Sequence, residues 1–103
     1  PTRFNLIHLG IGPDGHCASL IPNDPILNVS DRLVTLSGLY QGTRRMTLTY
    51  PALARGDQLL WLVSGADKQE ALAKLLDGDT SIPAGSVEAD ASLIMADRSA
   101  LKQ

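Results

Sequence analysis

The sequence predicts an α/β domain with a mostly parallel sheet and flanking helices. Three observations carry this expectation. Apolar runs of strand length recur at 4–9 ("FNLIHL"), 58–64 ("QLLWLVS") and 92–97 ("SLIMAD"). A helical segment, 66–78 ("ADKQEALAKLLDG"), stands between the last two. Glycine- and proline-rich clusters separate the elements, giving the alternation of strand and helix that builds parallel sheets.

In chain order, "FNLIHL" ends at Gly10 and reads as a buried strand. "GIGPDG" (10–15) is a turn cluster. "HCASLI" (16–21) is long enough for one or two helical turns before Pro22 and Pro25 stop it. "RLVTL" (32–36) reads as a strand, "SGLYQGTR" (37–44) as a polar loop, and "RMTLTY" (45–50) as an alternating, β-prone segment. Pro51 suits the first position of a short helix, and Gly56 suits its stop. "QLLWLVS" is the clearest buried strand, with Trp61 as core. In the long helix Ala71, Leu72, Leu75 and Leu76 share a face, and Gly78 ends it. "SLIMAD" is the last strand.

The bulk composition excludes several function classes. The chain has 103 residues, enough for one small domain or part of a larger one. Its net charge is −2, with the basic residues scattered, so no nucleic-acid footprint is expected. Aromatic residues make up 4%, too few for a single-strand stacking platform. The apolar runs fall far short of the roughly 20 residues of a membrane span. No charged start leads into a long apolar segment, so no leader peptide is expected. Cys17 is the single cysteine, which excludes an internal disulfide and fits a reducing, cytoplasmic compartment. No cysteine or histidine cluster suggests a metal site. A strand within four residues of Pro1 needs neighbours, and the chain is expected to be a portion of a larger domain.

Gly10, Gly12 and Gly15 match the dinucleotide spacing G-x-G-x-x-G. The context opposes that reading. Asp31 lies at the distance of a ribose-binding acid but precedes its strand instead of following it. Pro22 ends the helix too early. Asp14 would set a carboxylate beside the pyrophosphate. Another reading is a strand–loop–helix corner that presents His16 in the first helical turn. There the positive helix end favours a neutral imidazole, which can serve as a general base, with Asp14 orienting it. The plainer account of the same residues is a capping Asp14 and a surface His16. Lys68 is similarly open: a cation in the first turn of the long helix is either solvated beside Asp67 and Glu70 or held for an anion. Spacing does not separate Arg44 from Arg45.

The whole pattern goes further. "LGIGPDGHCASLIP", "RRMTLTYPAL", "LLWLVSGADKQEAL", "IPAGSV" and "LIMADRSAL" stand in the order found in the 6-phosphogluconolactonase family, and the resemblance covers almost all 103 residues. Its most specific piece is G-x-G-x-D-G-H-x-A-S-L-x-P. The superfamily also holds glucosamine-6-phosphate isomerase (deaminase), which shares the G-x-D-G-H core. Members run to more than twice this length. The resemblance therefore implies that residues 1–103 are the C-terminal portion of one Rossmann-like domain, an incomplete fold whose N-terminal half is the missing partner.

It also implies hydrolysis of 6-phosphoglucono-δ-lactone to 6-phosphogluconate, in the oxidative pentose phosphate pathway, without metal or organic cofactor. His16 matches the general base and Asp14 its acidic neighbour. Gly10, Gly12 and Gly15 match the loop beneath the sugar, where backbone N–H groups could serve a developing oxyanion. Ser19 matches a substrate-side serine. Arg45 and Lys68 match the cations that meet the phosphate. Cys17 stands where threonine is usual and reads as a small filler. Two alternatives remain: a sugar-phosphate isomerase, and a non-catalytic sugar-phosphate-binding portion. The isomerase carries a carboxylate before the closing proline, where this chain has Ile21.

Overall fold

A computed structural model describes residues 3–101; Pro1 lies outside them. Three strands form a parallel sheet in the order β1–β4–β5: β1 (Ile7–Leu9), β4 (Leu59–Val63) and β5 (Ser92–Ala96). Register pairs Leu9 with Trp61 and Trp61 with Ile94. A separate antiparallel ribbon pairs β2 (Val34–Leu36) with β3 (Met46–Leu48). Between ribbon and sheet stands a four-residue helix α1 (Tyr50–Leu53), with Pro51 in its first turn as expected. Thr49 caps it: its hydroxyl accepts from the Ala52 N–H and donates to the Arg32 carbonyl.

The long helix is split. A 3-10 turn (Ala66–Lys68) leads into α2 (Gln69–Leu76). The expected stop at Gly78 holds: its N–H bonds the Leu75 carbonyl and the Asp79 N–H bonds the Lys74 carbonyl, the two bonds of a Schellman end. Ala71 and Leu72 of α2 join Ile7, Leu9, Leu59, Trp61 and Val63 in one buried cluster. That cluster lies on one face of the parallel sheet.

Two expectations are corrected. The apolar strands are not buried on both sides. Leu62, Leu93 and Met95 are 43%, 50% and 55% exposed, and His8 beside them is exposed as well. Nothing among the described residues covers that second face, although parallel sheets are normally covered on both. The expected helix over 16–21 does not form either. Consecutive turns run from Pro13 to Leu20, Ala18 adopts a left-handed φ of 50°, and the Leu20 N–H bonds back to the Cys17 carbonyl. Cys17, Leu20 and Ile21 are buried as three separate anchors rather than as a helical stripe. Among the described residues no helix is long and apolar enough to cross a membrane.

Candidate active site

The loop after β1 rises from the carboxyl edge of the parallel sheet, where open α/β sheets bind ligands. Its shape comes from three backbone bonds. The Gly12 N–H donates to the His16 carbonyl, the Gly15 N–H to the Gly12 carbonyl, and the Ala84 N–H to the Gly15 carbonyl. Two glycines are required sterically. A Cβ on Gly12 would stand 2.1 Å from the His16 imidazole, so the ring lies directly over this residue. Gly15 has φ of 89°, and a Cβ there would stand 2.5 Å from the Ile82 Cβ. Gly10 has no such constraint: its nearest neighbour would be the Leu62 carbonyl at 3.9 Å. Because the Gly12 and Gly15 N–H groups are used within the turn, these glycines make room rather than present donors.

Asp14 turns back on His16. Its Oδ1 accepts the His16 backbone N–H at 3.0 Å and faces the ring Nδ1 at 2.6 Å. No helix begins at His16, so no helix dipole acts on the ring, and the Asp14 carboxylate decides its hydrogen bonding instead. An ionised carboxylate only accepts, so Nδ1 carries the proton. In the neutral imidazole, Nε2 then presents its lone pair, and among the described residues no hydrogen bond reaches it. Burial alone would raise the Asp14 pKa. The His16 backbone N–H, its imidazole and the Tyr40 hydroxyl outweigh burial and hold the carboxyl below its ordinary value.

The Tyr40 hydroxyl donates to Asp14 Oδ2 at 3.0 Å and lies 3.5 Å from His16 Nδ1. Its ring meets the imidazole edge-on, with centroids 5.5 Å apart. Tyr40 sits beside the tip of the β2–β3 ribbon, where Tyr40 and Thr43 exchange backbone bonds around Gln41 and Gly42. Both central residues have positive φ, 51° and 82°, as a type I′ turn requires. In the sequence Tyr40 is one residue of a polar loop, 37–44. The signal available was an aromatic residue directly before a Gln-Gly turn.

Of the two arginines, Arg45 is the one that turns toward this cluster, with its guanidinium carbon 5.4 Å from the Tyr40 ring centroid. The Ser19 backbone N–H is held by the buried Thr47 hydroxyl of β3, which ties the loop to the ribbon. Lys68 follows the neighbouring strand at the same sheet edge. It folds back over its own turn, with Nζ 3.4 Å from the Ser64 carbonyl and 3.9 Å from Asp67 Oδ1. No hydrogen bond or ion pair among the described residues joins it to His16, Asp14 or Arg45. Asp14, His16, Tyr40 and Arg45 are thus brought together, while Lys68 and the Ser19 side chain are not.

Cys17 is buried directly behind His16, and burial pushes its thiol pKa up to about 12. Such a thiol stays protonated and inert. Among the described residues no group of three His, Cys, Asp or Glu side chains is placed to hold a metal ion.

Residues 1–95 match the model of the family described as glucosamine-6-phosphate isomerases/6-phosphogluconolactonase. A 6-phosphogluconolactonase from Synechocystis sp. is 49% identical over 72 residues, which span 70% of this chain and 30% of that protein. One from Mycobacterium tuberculosis is 38% identical over 95% of this chain and 42% of its own length. The crystal structure of 6-phosphogluconolactonase from Thermotoga maritima superposes with a TM-score of 0.77 and 33% identity, over 94% of this chain and 45% of that one. The chain spans less than half the length of each.

Proposed function

Because the chain belongs to the glucosamine-6-phosphate isomerase/6-phosphogluconolactonase family, we propose that it carries the hydrolytic corner of a 6-phosphogluconolactonase, a carboxylic ester hydrolase acting on 6-phosphoglucono-δ-lactone. The observation that carries this reading is the 2.6 Å contact between Asp14 Oδ1 and His16 Nδ1. It leaves Nε2 as the basic atom and fixes the ring plane over Gly12.

In the proposed reaction, Nε2 takes a proton from a water molecule whose oxygen attacks the lactone carbonyl carbon. The carbonyl electrons move onto oxygen and return as the ester C–O bond breaks. The leaving ring oxygen takes the proton back from the imidazolium. The products are an open-chain acid and a regenerated neutral histidine. The atoms balance with water alone, so the hydrolysis itself calls for no metal or organic cofactor. Asp14 holds the tautomer and faces the transient imidazolium, as in other carboxylate–histidine pairs.

Arg45 and Lys68 are assigned to the substrate phosphate, and the Gly10, Gly12, Gly15 and Ser19 segment to the sugar. Lys68 must swing away from Ser64 and Asp67 to take that role. The isomerase reading finds at Ile21 a buried aliphatic side chain, which transfers no proton.

The 103 residues are read as the C-terminal portion of a single domain, with its N-terminal half packed on the open sheet face. The chain's share of its relatives' length and the exposure of Leu62, Leu93 and Met95 both support this. The chain alone is accordingly expected to turn over little, since catalytic groups need placement within about 0.5 Å.

The test is lactone hydrolysis by the longest polypeptide that carries this sequence. His16→Ala is expected to lower kcat/KM by about 10²–10⁴-fold. An unchanged kcat/KM removes His16 as the base. Absence of lactonase activity from the unmutated protein removes the reading itself.

A further inference from the structure

Asp14 is exposed enough to rotate, yet its two oxygens are both committed. Oδ1 serves His16 twice, at the backbone N–H and at Nδ1. Oδ2 accepts the Tyr40 hydroxyl. A carboxylate anchored through one oxygen alone turns about its last torsion, which is broad. Anchored through both, it keeps Oδ1 on the imidazole. The Tyr40 ring adds a wall, because it meets the imidazole edge-on and narrows the ring's swing away from Gly12. The same ring lies beneath the Arg45 guanidinium. One side chain therefore touches the acid, the base and the cation assigned to phosphate.

We infer that Tyr40 is a positioning residue of this site: its hydroxyl fixes the Asp14–His16 pair and its ring seats Arg45. The inference rests on the lactonase reading for its kinetic consequence, and on geometry alone for the contact itself. The two functions of Tyr40 reside in different parts of the side chain, so two substitutions separate them. Tyr40→Phe removes the hydroxyl and keeps the ring. Tyr40→Leu removes both.

The contact also has a spectroscopic signature. The Tyr40 phenol pKa lies above its ordinary value, through the hydrogen bond to Asp14 first, then burial and the Asp14 charge, with Arg45 opposing. Asp14, His16 and Arg45 are the ionisable groups that face it.

The experiment uses the longest polypeptide that carries this sequence, labelled with carbon-13 tyrosine. The Tyr40 ring resonance is assigned by its loss in Tyr40→Phe and then titrated. Asp14→Asn is expected to lower the Tyr40 phenol pKa toward the ordinary value; an unmoved titration overturns the inference, whatever the enzyme does. In kinetics, Tyr40→Phe is expected to lower kcat by about tenfold with KM nearly unchanged, and Tyr40→Leu to raise KM as well. If both variants match the unmutated protein while His16→Ala abolishes turnover, the inference fails and the lactonase reading stands. If His16→Ala is also without effect, His16 is removed as the base and the kinetic role of Tyr40 falls with it, while absence of lactonase activity from the unmutated protein removes the reading itself.

Discussion

The two faces of the β1–β4–β5 sheet carry similar residue types and meet opposite fates. On one face Ile7, Leu9, Leu59, Trp61 and Val63 lie against α2 and the anchors of the His16 loop, and Trp61 is 2% exposed. On the other, Leu60, Leu62, Leu93 and Met95 form an equally apolar surface beside His8 that nothing among the described residues covers. The difference teaches that an apolar strand states only a demand for cover. Which chain segment meets it is a matter of tertiary structure.

That contrast can be broken most forcefully at Trp61. Trp61→Ala is expected to destabilise the protein by about 3–5 kcal/mol in chemical denaturation, because it empties a filled position. Met95→Ala, on the open face, is expected to stay within about 0.5 kcal/mol in the 103-residue chain. Equal losses at the two positions would show that the faces are energetically alike.

A second substitution sharpens the comparison. Leu62→Ala is expected to cost about 2 kcal/mol or more in the longest polypeptide that carries this sequence, where the proposed N-terminal half covers the face. In the 103-residue chain its cost should be slight. A slight cost in both contexts argues against that cover.

The smallest effect is expected where the two faces meet, at the sheet edge that carries Asp14. Its folded pKa is depressed, so its contribution to stability is full above the unfolded value of about 3.8 and is lost as pH falls through the lower folded value. Thermal melts of the unmutated protein and Asp14→Asn should therefore differ near neutrality and converge in strong acid. A gap that widens on acidification would reverse the sign of the Asp14 shift.

Much of this architecture was legible in the sequence. Strand β4, the helix α2 with its stop at Gly78, and Pro51 at the start of α1 all follow from local chemistry, which acts within a few residues. "HCASLI" misled because a short apolar–polar mixture before a proline fits one helical turn as well as it fits three buried anchors. The backbone was decided by Ile82 and Ala84, which pin Gly15 from far along the chain. The motif around Asp14 and His16 was visible, and so was the carboxylate placed to meet the ring. Tyr40 was not, because its contact with Asp14 spans 26 positions and leaves no periodic trace.

The bond from the Ala84 N–H to the Gly15 carbonyl also imposes an order in time. During synthesis Asp14 and His16 leave the ribosome well before the segment that pins their loop. Until Ile82 and Ala84 arrive, the loop has nothing to close against at Gly15. The residues of the site thus emerge before the segment that seats them, and nascent chains halted before Ile82 should hold them in no fixed geometry.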